Sequence, residues 1–145
     1  MQDLPHQYAV SASAESDSNV TLSSRGLESI DSAAPAEFGG PGDRWSPETL
    51  LVAAVADCFI LSFKAIARAS RFDWHAISCD VDATLDRVEG RNQFTTFRQR
   101  AVLDVPAGTE ERKALRLLEK AEKVCLITNS LSGEMHLEAE VRIAD

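Results

Sequence analysis

Two cysteines stand where chemistry could happen. Cys58 lies inside the apolar stretch "VAAVADCFILSF", and Cys125 lies in "AEKVCLITNSL", where a highly charged helical stretch turns apolar. Two thiols so far apart in sequence can be core residues, a metal pair, a structural disulfide or a redox couple. Only the thiolate is a nucleophile or a metal ligand, and burial on an apolar helix raises a thiol's pKa. A reactive Cys58 therefore needs a positive or hydrogen-bonding neighbour to offset its surroundings. The third thiol, Cys79, sits on the apolar side of an alternating segment and reads as a core residue. His6, His75 and His136 show no metal-ligand spacing with the cysteines, and no C-x-x-C is present. A metal site is not expected on that pattern.

The first thiol needs a helix to hold it. In "SPETLL", Ser46 suits an N-cap, Pro47 the first helical position, and Glu48 the positive end of the helix dipole. The spacing predicts a helix to about Ser70, with Leu51, Ala54, Val55, Cys58, Ser62, Ala65, Ile66 and Ala69 on one face. Phe59, Leu61 and Phe63 widen the apolar arc, so the helix is expected to be buried on most sides. Glu48 precedes Cys58 by ten residues, about 15 Å along a straight helix. From within that helix it cannot touch the thiol. If both serve one site, Glu48 comes from a partner subunit or through a bend, which points to an interwoven homodimer.

The second thiol closes another helix. Thr109 can cap a helix from Glu110 to about Val124, with Ala114, Leu118, Ala121 and Cys125 sharing a face. Between the helices two segments alternate. Ile77, Cys79, Val81, Ala83 and Leu85 face one way in the first, and Phe97, Gln99, Ala101, Leu103 and Val105 in the second, with "EGRNQ" turning the chain between them. Met135 to Ile143 alternate as a last strand with one wet face. At the N-terminus, Tyr8–Ala14 and "VTLSS" read as a β-hairpin around the polar "ESDSN". The stretch "RGLESIDSAAPAEFGGPGDRW" reads as a loop. The order is hairpin, loop, long apolar helix, two antiparallel strands, helix, strand: an α+β fold.

Length and charge bound the partners. The chain has 145 residues, which suits one domain, or two small lobes on a shared core, so residues 1–145 are taken as one domain. The net charge of −8 disfavours nucleic acid and anionic membrane surfaces as partners. "MQDLPHQYAV" has neither a basic segment nor an apolar one and is not read as a signal peptide. The apolar run around Leu50–Phe63 is interrupted by Asp57, Cys58 and Ser62 and reads as too short and too polar to span a bilayer. A cytoplasmic location follows as the expectation. In that reducing setting, three cysteines are expected to be free, catalytic or metal-bound rather than a disulfide framework.

"SPETLLVAAVADCF" followed by "AEKVCLITNSL" resembles the OsmC/Ohr family of thiol-dependent organic hydroperoxide reductases. The shared pattern is an acid beside a proline at a helix start, a cysteine in the central helix, and a second cysteine in a short K-V-C-x-x-S/T-N stretch. The resemblance covers roughly Tyr8 to Ile143. It implies that Cys58 is the peroxidatic thiolate, that Cys125 resolves its sulfenic acid as a disulfide, and that Glu48 belongs to the site. It further implies a homodimer, an organic hydroperoxide substrate, a dithiol reductant of lipoyl type, and no metal, haem or flavin. The family's peroxidases pair the glutamate with an arginine from the N-terminal strand-turn region. Here that turn, "AESDSNV", has none. Arg44, four residues before Glu48, could stand in, and Arg25 is a further candidate. Leu50, Leu51, Phe59, Phe63, Leu126 and Ile127 could line a pocket for a greasy peroxide tail. The competing reading is a non-peroxidatic OsmC-like domain that binds a small apolar ligand or senses redox state. The two cysteines favour the peroxidase, and the absent turn arginine favours the alternative.

Overall fold

The computed structural model covers Met1–Asp145, and the chain forms two compact units, 1–50 and 51–145. In the first, β1 (Ser11–Ser13), β2 (Val20–Ser23) and β3 (Ile30–Ser32) make an antiparallel sheet in that order. The expected hairpin is present, but its first strand is only three residues long, and all three are exposed. Without a buried face, alternation upstream of Ser11 has nothing to pair against. The segment read as loop contains β3, a turn of 3-10 helix at Ala36–Phe38, and a bridge from Ser32 to Trp45. β3 is too short for period-2 alternation to show.

Helix α1 spans Pro47–Ala69 without a break. Its start is capped reciprocally: the Thr49 N–H donates to Ser46 Oγ at 3.1 Å, and the Ser46 N–H donates to Thr49 Oγ1 at 2.9 Å. This is a capping box with a hydroxyl in the usual place of the carboxylate, and it fixes where α1 begins. The buried stripe is Val55, Phe59, Phe63, Ile66 and Ala67. That differs from the expected face. Leu61, Ala65 and Ala69 are exposed and Cys58 is half-buried, while Phe59 and Phe63, expected only to widen the arc, lie wholly inside. In a helix apolar nearly all round, periodicity does not select a face. The two phenylalanines supply the largest volumes, and they take the core. The expectation that this run is too short and too polar for a bilayer is also corrected. α1 has 23 residues, and an 18-residue window within it has a mean hydropathy of 2.1, so by length and composition it could cross one. Here its phenylalanine stripe packs into a protein core.

In the second unit, β4 (Ala76–Val88), β5 (Arg91–Val105) and β6 (Glu134–Ile143) form a sheet in that order. β4 and β5 are antiparallel, joined at Glu89 and Gly90, both with positive φ, the two-residue turn that matches strand twist. "EGRNQ" thus turns over two residues, and Arg91–Gln93 join the ladder. β6 pairs with β5 in parallel, which requires a crossover, and α2 (Glu111–Val124) followed by the single turn α3 (Leu126–Asn129) supplies it. Thr109 does not cap α2; its hydroxyl donates to the Pro106 carbonyl at 2.7 Å, and Glu110 occupies the N-cap. At the entry to β6, a Cβ on Gly133 would come within 2.8 Å of the Phe97 ring.

The core of this unit lies between the helices and one sheet face. Phe59, Phe63, Ile66, Ala67 and Phe72 meet Ala101, Leu103 and Val105 from β5 and Ala114, Leu118 and Ala121 from α2. Phe63 stacks edge-on to Trp74 at 5.6 Å. The predicted alternation of β5 holds: Phe97, Gln99, Ala101, Leu103 and Val105 are all buried. The other face of the sheet is charged, with Arg100 on Asp82 at 2.8 Å and Arg142 on Asp104 at 2.7 Å.

Candidate active site

α1 and the α2–α3 junction bring Cys58 and Cys125 together. All three cysteines are free thiols, and Cys58 and Cys125 lie near enough for each to shift the other's pKa. Cys58 is half-buried in mid-helix. Cys125 has no exposed surface and ends α2 as it caps α3. The local cause is a change of backbone direction. Cys125 leaves the helical region at ψ 109°, which breaks α2 one residue after Val124 and lets α3 start on a new axis. That break turns the first amides of α3 toward Cys58.

Burial pushes the Cys58 thiol up, but the donors around it win, and its pKa falls below the ordinary thiol value. The Ile127 N–H contributes most, followed by the Cys125 S–H, the Ser62 hydroxyl and the Leu126 N–H. Ser62 lies one turn along α1, with Oγ 3.9 Å from Cys58 Sγ. Every one of these stabilising groups is a neutral hydrogen-bond donor. The requirement read from the sequence, that something positive or hydrogen-bonding offset burial, is met by amides and hydroxyls. Cys125 moves the opposite way: burial raises it, donors from Thr128 partly offset that, and the neighbouring Cys58 raises it further. Of the two thiols, Cys58 is thus the one whose thiolate the surroundings favour. Cys79, half-buried at the edge of the core, is pushed up to about 11 by burial first, then by Asp80 and Cys125. Its reading as a core residue fits that placement.

The other candidates fall elsewhere. Phe59 follows Cys58 in α1 and is fully buried in the core cluster, as is Phe63. Leu126 is exposed beside Cys125, and Leu61 is exposed one turn from Cys58. In the N-terminal unit, Glu48 borders an apolar cavity of about 470 Å³ walled by Ala12, Val20, Leu22, Ala33, Phe38 and Leu50. One Glu48 carboxylate oxygen is buried there with no hydrogen-bond partner. Arg44 does not pair with Glu48. Its guanidinium meets Asp43, 3.4 Å from the carboxylate and 3.2 Å from the carbonyl oxygen. An i,i+4 pairing fails because both residues would have to be helical, and α1 begins only at Pro47. No group of three or more His, Cys, Asp or Glu side chains comes together to hold a metal ion.

The family model described as OsmC-like protein matches residues 40–140. The chain belongs to the OsmC-like family. The matched span includes Glu48, Cys58 and Cys125. Among curated relatives, a Bacillus subtilis protein, "Uncharacterized protein YmaD", is 27% identical over 114 residues, covering 75% of this chain and 76% of its own. An "Organic hydroperoxide resistance protein" of Xanthomonas axonopodis pv. citri is 29% identical over 103 residues, covering 70% of each. Among solved structures, an OsmC-like protein of unknown function from Vibrio cholerae superposes with a TM-score of 0.84 at 19% identity, over 93% of this chain and 99% of the other. A Legionella pneumophila organic hydroperoxide resistance protein OsmC gives 0.76 at 23% identity, over 96% and 98%. The expected mixed α+β OsmC-like fold is the one observed.

Sequence reasoning missed Ser62 and Thr128 as partners of the thiols, and the Leu126 and Ile127 amides. Ser62 was visible as the residue one helical turn after Cys58. The amides depend on the break at Cys125, which no side-chain pattern announces.

Proposed function

We propose that this OsmC-like protein is a thiol-dependent peroxidase that reduces organic hydroperoxides to alcohols. The proximity of Cys58 and Cys125 carries the reading, and the hydroperoxide-resistance names of its relatives support it. The Cys58 thiolate attacks the outer peroxide oxygen, the O–O bond breaks, and the alcohol leaves after taking up a proton. Cys58 is then a sulfenic acid. Cys125 Sγ attacks the Cys58 sulfur, water departs with the Cys125 proton, and a disulfide forms. A dithiol, of lipoyl type in our reading, supplies the two electrons that restore both thiols. Phe59, next to Cys58 in sequence and buried in the core, is the apolar residue we assign to the substrate's tail.

Glu48 enters through a partner. Lying ten residues ahead of Cys58 on an unbroken helix, about 15 Å along the axis, it reaches a thiol only from a second copy. The exposed Leu61 and Leu126, one beside each thiol, are the kind of apolar surface that another copy covers. We therefore place Glu48 and the substrate-binding Arg44 in the partner's site of an interwoven homodimer, acting in the cytoplasm. In that assembly Arg44 would have to exchange Asp43 for the peroxide or for Glu48.

One observation favours a second reading. No cation stands among the groups that stabilise the Cys58 thiolate. A non-peroxidatic OsmC-like protein that senses redox state or binds a small apolar ligand needs none. Consumption of cumene hydroperoxide by the purified protein with excess dithiol separates the two. Dithiol-dependent turnover that disappears in Cys58→Ser supports the peroxidase, and an inert wild type leaves the sensor or binding role.

A further inference from the structure

The N-terminal unit holds an acid without a partner. Glu48 stands in the wall of the apolar cavity of about 470 Å³, and its Oε2 is buried with no hydrogen-bond donor. The other polar residue in that wall is Ser32, which is 3% exposed. Alanine, valine, leucine, proline and phenylalanine make up the rest, with no lysine, arginine or histidine among them. Arg44, four residues before Glu48, is held by Asp43. Backbone hydrogen bonds tie the wall together. The Ala33 N–H donates to the Trp45 carbonyl at 2.9 Å, and the Phe38 and Gly40 N–H groups both donate to the Pro35 carbonyl at 3.0 Å. A Cβ on Gly40 would overlap the Ala34 carbonyl, so the chain needs glycine to close this side. On the other side the Ser46–Thr49 capping box flanks Glu48 and fixes the start of α1. The volume falls within the range of about 300–1,000 Å³ common to small-molecule sites.

We propose that this cavity binds a small organic cation: an apolar body of aryl or branched alkyl type carrying a protonated amine that donates to Glu48. The two halves of the ligand answer two features of the wall. Apolar lining favours hydrocarbon over water. A carboxylate oxygen withdrawn from water without a donor is unfavourable, and buried charges are ordinarily paired. A neutral donor such as an alcohol satisfies a lone pair and leaves the charge uncompensated. An ammonium does both, and charge-assisted hydrogen bonds are about twice as strong as neutral ones. An anionic ligand would meet Glu48 as a like charge. Ser32 offers an acceptor for one of the remaining ammonium protons. Every lining residue belongs to the N-terminal unit of one chain. The proposal therefore goes beyond the peroxidase reading and does not rest on it.

The test is calorimetric titration of the full-length protein with three probes of one shape: phenethylamine, phenethyl alcohol and hydrocinnamate. We expect the amine to bind wild type about tenfold more tightly than the alcohol, the size of one charge-assisted contact, and hydrocinnamate not to bind. Glu48→Gln keeps the side chain's shape and removes its charge, and should erase the amine's advantage over the alcohol. Leu22→Trp fills the cavity and leaves Glu48 in place, and should abolish binding of both. That result separates the cavity from the general attraction of a cation to a protein of net charge −8. Methyl resonances of Val20 and Leu22 in wild type should shift on titration, which locates the ligand even if Leu22→Trp fails to fold. Equal affinity for amine and alcohol, an amine affinity unchanged in folded Glu48→Gln, Val20 and Leu22 methyls unmoved at saturation, or no binding to wild type would each overturn the proposal. Peroxide is absent throughout, so such a failure leaves the peroxidase reading untouched, and a protein that binds the amine but consumes no peroxide refutes only that reading.

Discussion

Cys125 lies beside Cys58 and lowers its pKa, so the residue assigned to close the disulfide also favours the first thiolate. The relationship is reciprocal: Cys58 in turn adds to the burial that raises Cys125. Alkylation should therefore be ordered. Iodoacetamide is expected to modify Cys58 first, with a pH midpoint below that of an ordinary thiol, and Cys79 and Cys125 only slowly. Cys125→Ala should move the Cys58 midpoint upward, and Ser62→Ala should do so less, Ser62 being the weaker contributor. Peptide mapping after timed alkylation reads all three. A midpoint indifferent to Cys125→Ala would mean that the amides alone set it.

Cys79 makes the opposite prediction in stability. Its pKa rises from 9.0 to about 11 on folding. A group raised in the folded state contributes stability that is complete below the unfolded value and is lost as pH rises through the folded one. Urea midpoints should therefore fall between pH 9 and 11 in wild type, and less steeply in Cys79→Val. Cys58, lowered on folding, contributes in the other sense, with stability present above its unfolded pKa and lost as pH falls through the folded one. The Cys79 effect is thus best read as the difference between variant and wild type, which share Cys58.

Gln99 carries a cost in the core. Its side chain is fully buried between Phe97 and Ala101 on the inner face of β5, and neither amide atom has a hydrogen-bond partner. A buried amide left unpaired costs about 1–3 kcal/mol. Gln99→Leu, similar in size, is expected to raise stability by that amount and the melting temperature by several degrees. Loss of stability would show instead that the amide finds a partner in the assembled protein.

Much of the fold could be read from side-chain periodicity. The faces of β5 and α2 hold residue for residue, and that of β6 holds except at Ile143, which is exposed, because each has one wet and one dry side. α1 is where periodicity failed. With apolar residues nearly all round, only packing volume decided that Phe59 and Phe63 go inward while Leu61 stays out. β3 and the parallel pairing of β6 were not legible either. Three residues are too few to show a period, and strand direction follows from the length of the α2–α3 connection rather than from the strand itself. At the site, the two cysteines stood out by their context. The Leu126 and Ile127 amides that favour the Cys58 thiolate depend on a change of backbone direction at Cys125. Arg44 shows the limit of reading proximity from spacing: its nearest acid is Asp43, the adjacent residue, and not Glu48 one turn on.

The central claim is that Cys58 and Cys125 act as one redox couple. It is tested most directly by adding one equivalent of cumene hydroperoxide to the fully reduced protein and mapping its thiols by mass spectrometry. The wild type should give an intramolecular Cys58–Cys125 disulfide with Cys79 free. Cys125→Ser should stop at a Cys58 sulfenic acid that dimedone captures, and Cys58→Ser should remain fully reduced. Three free thiols after peroxide, or a disulfide that engages Cys79 in place of either partner, would contradict the account.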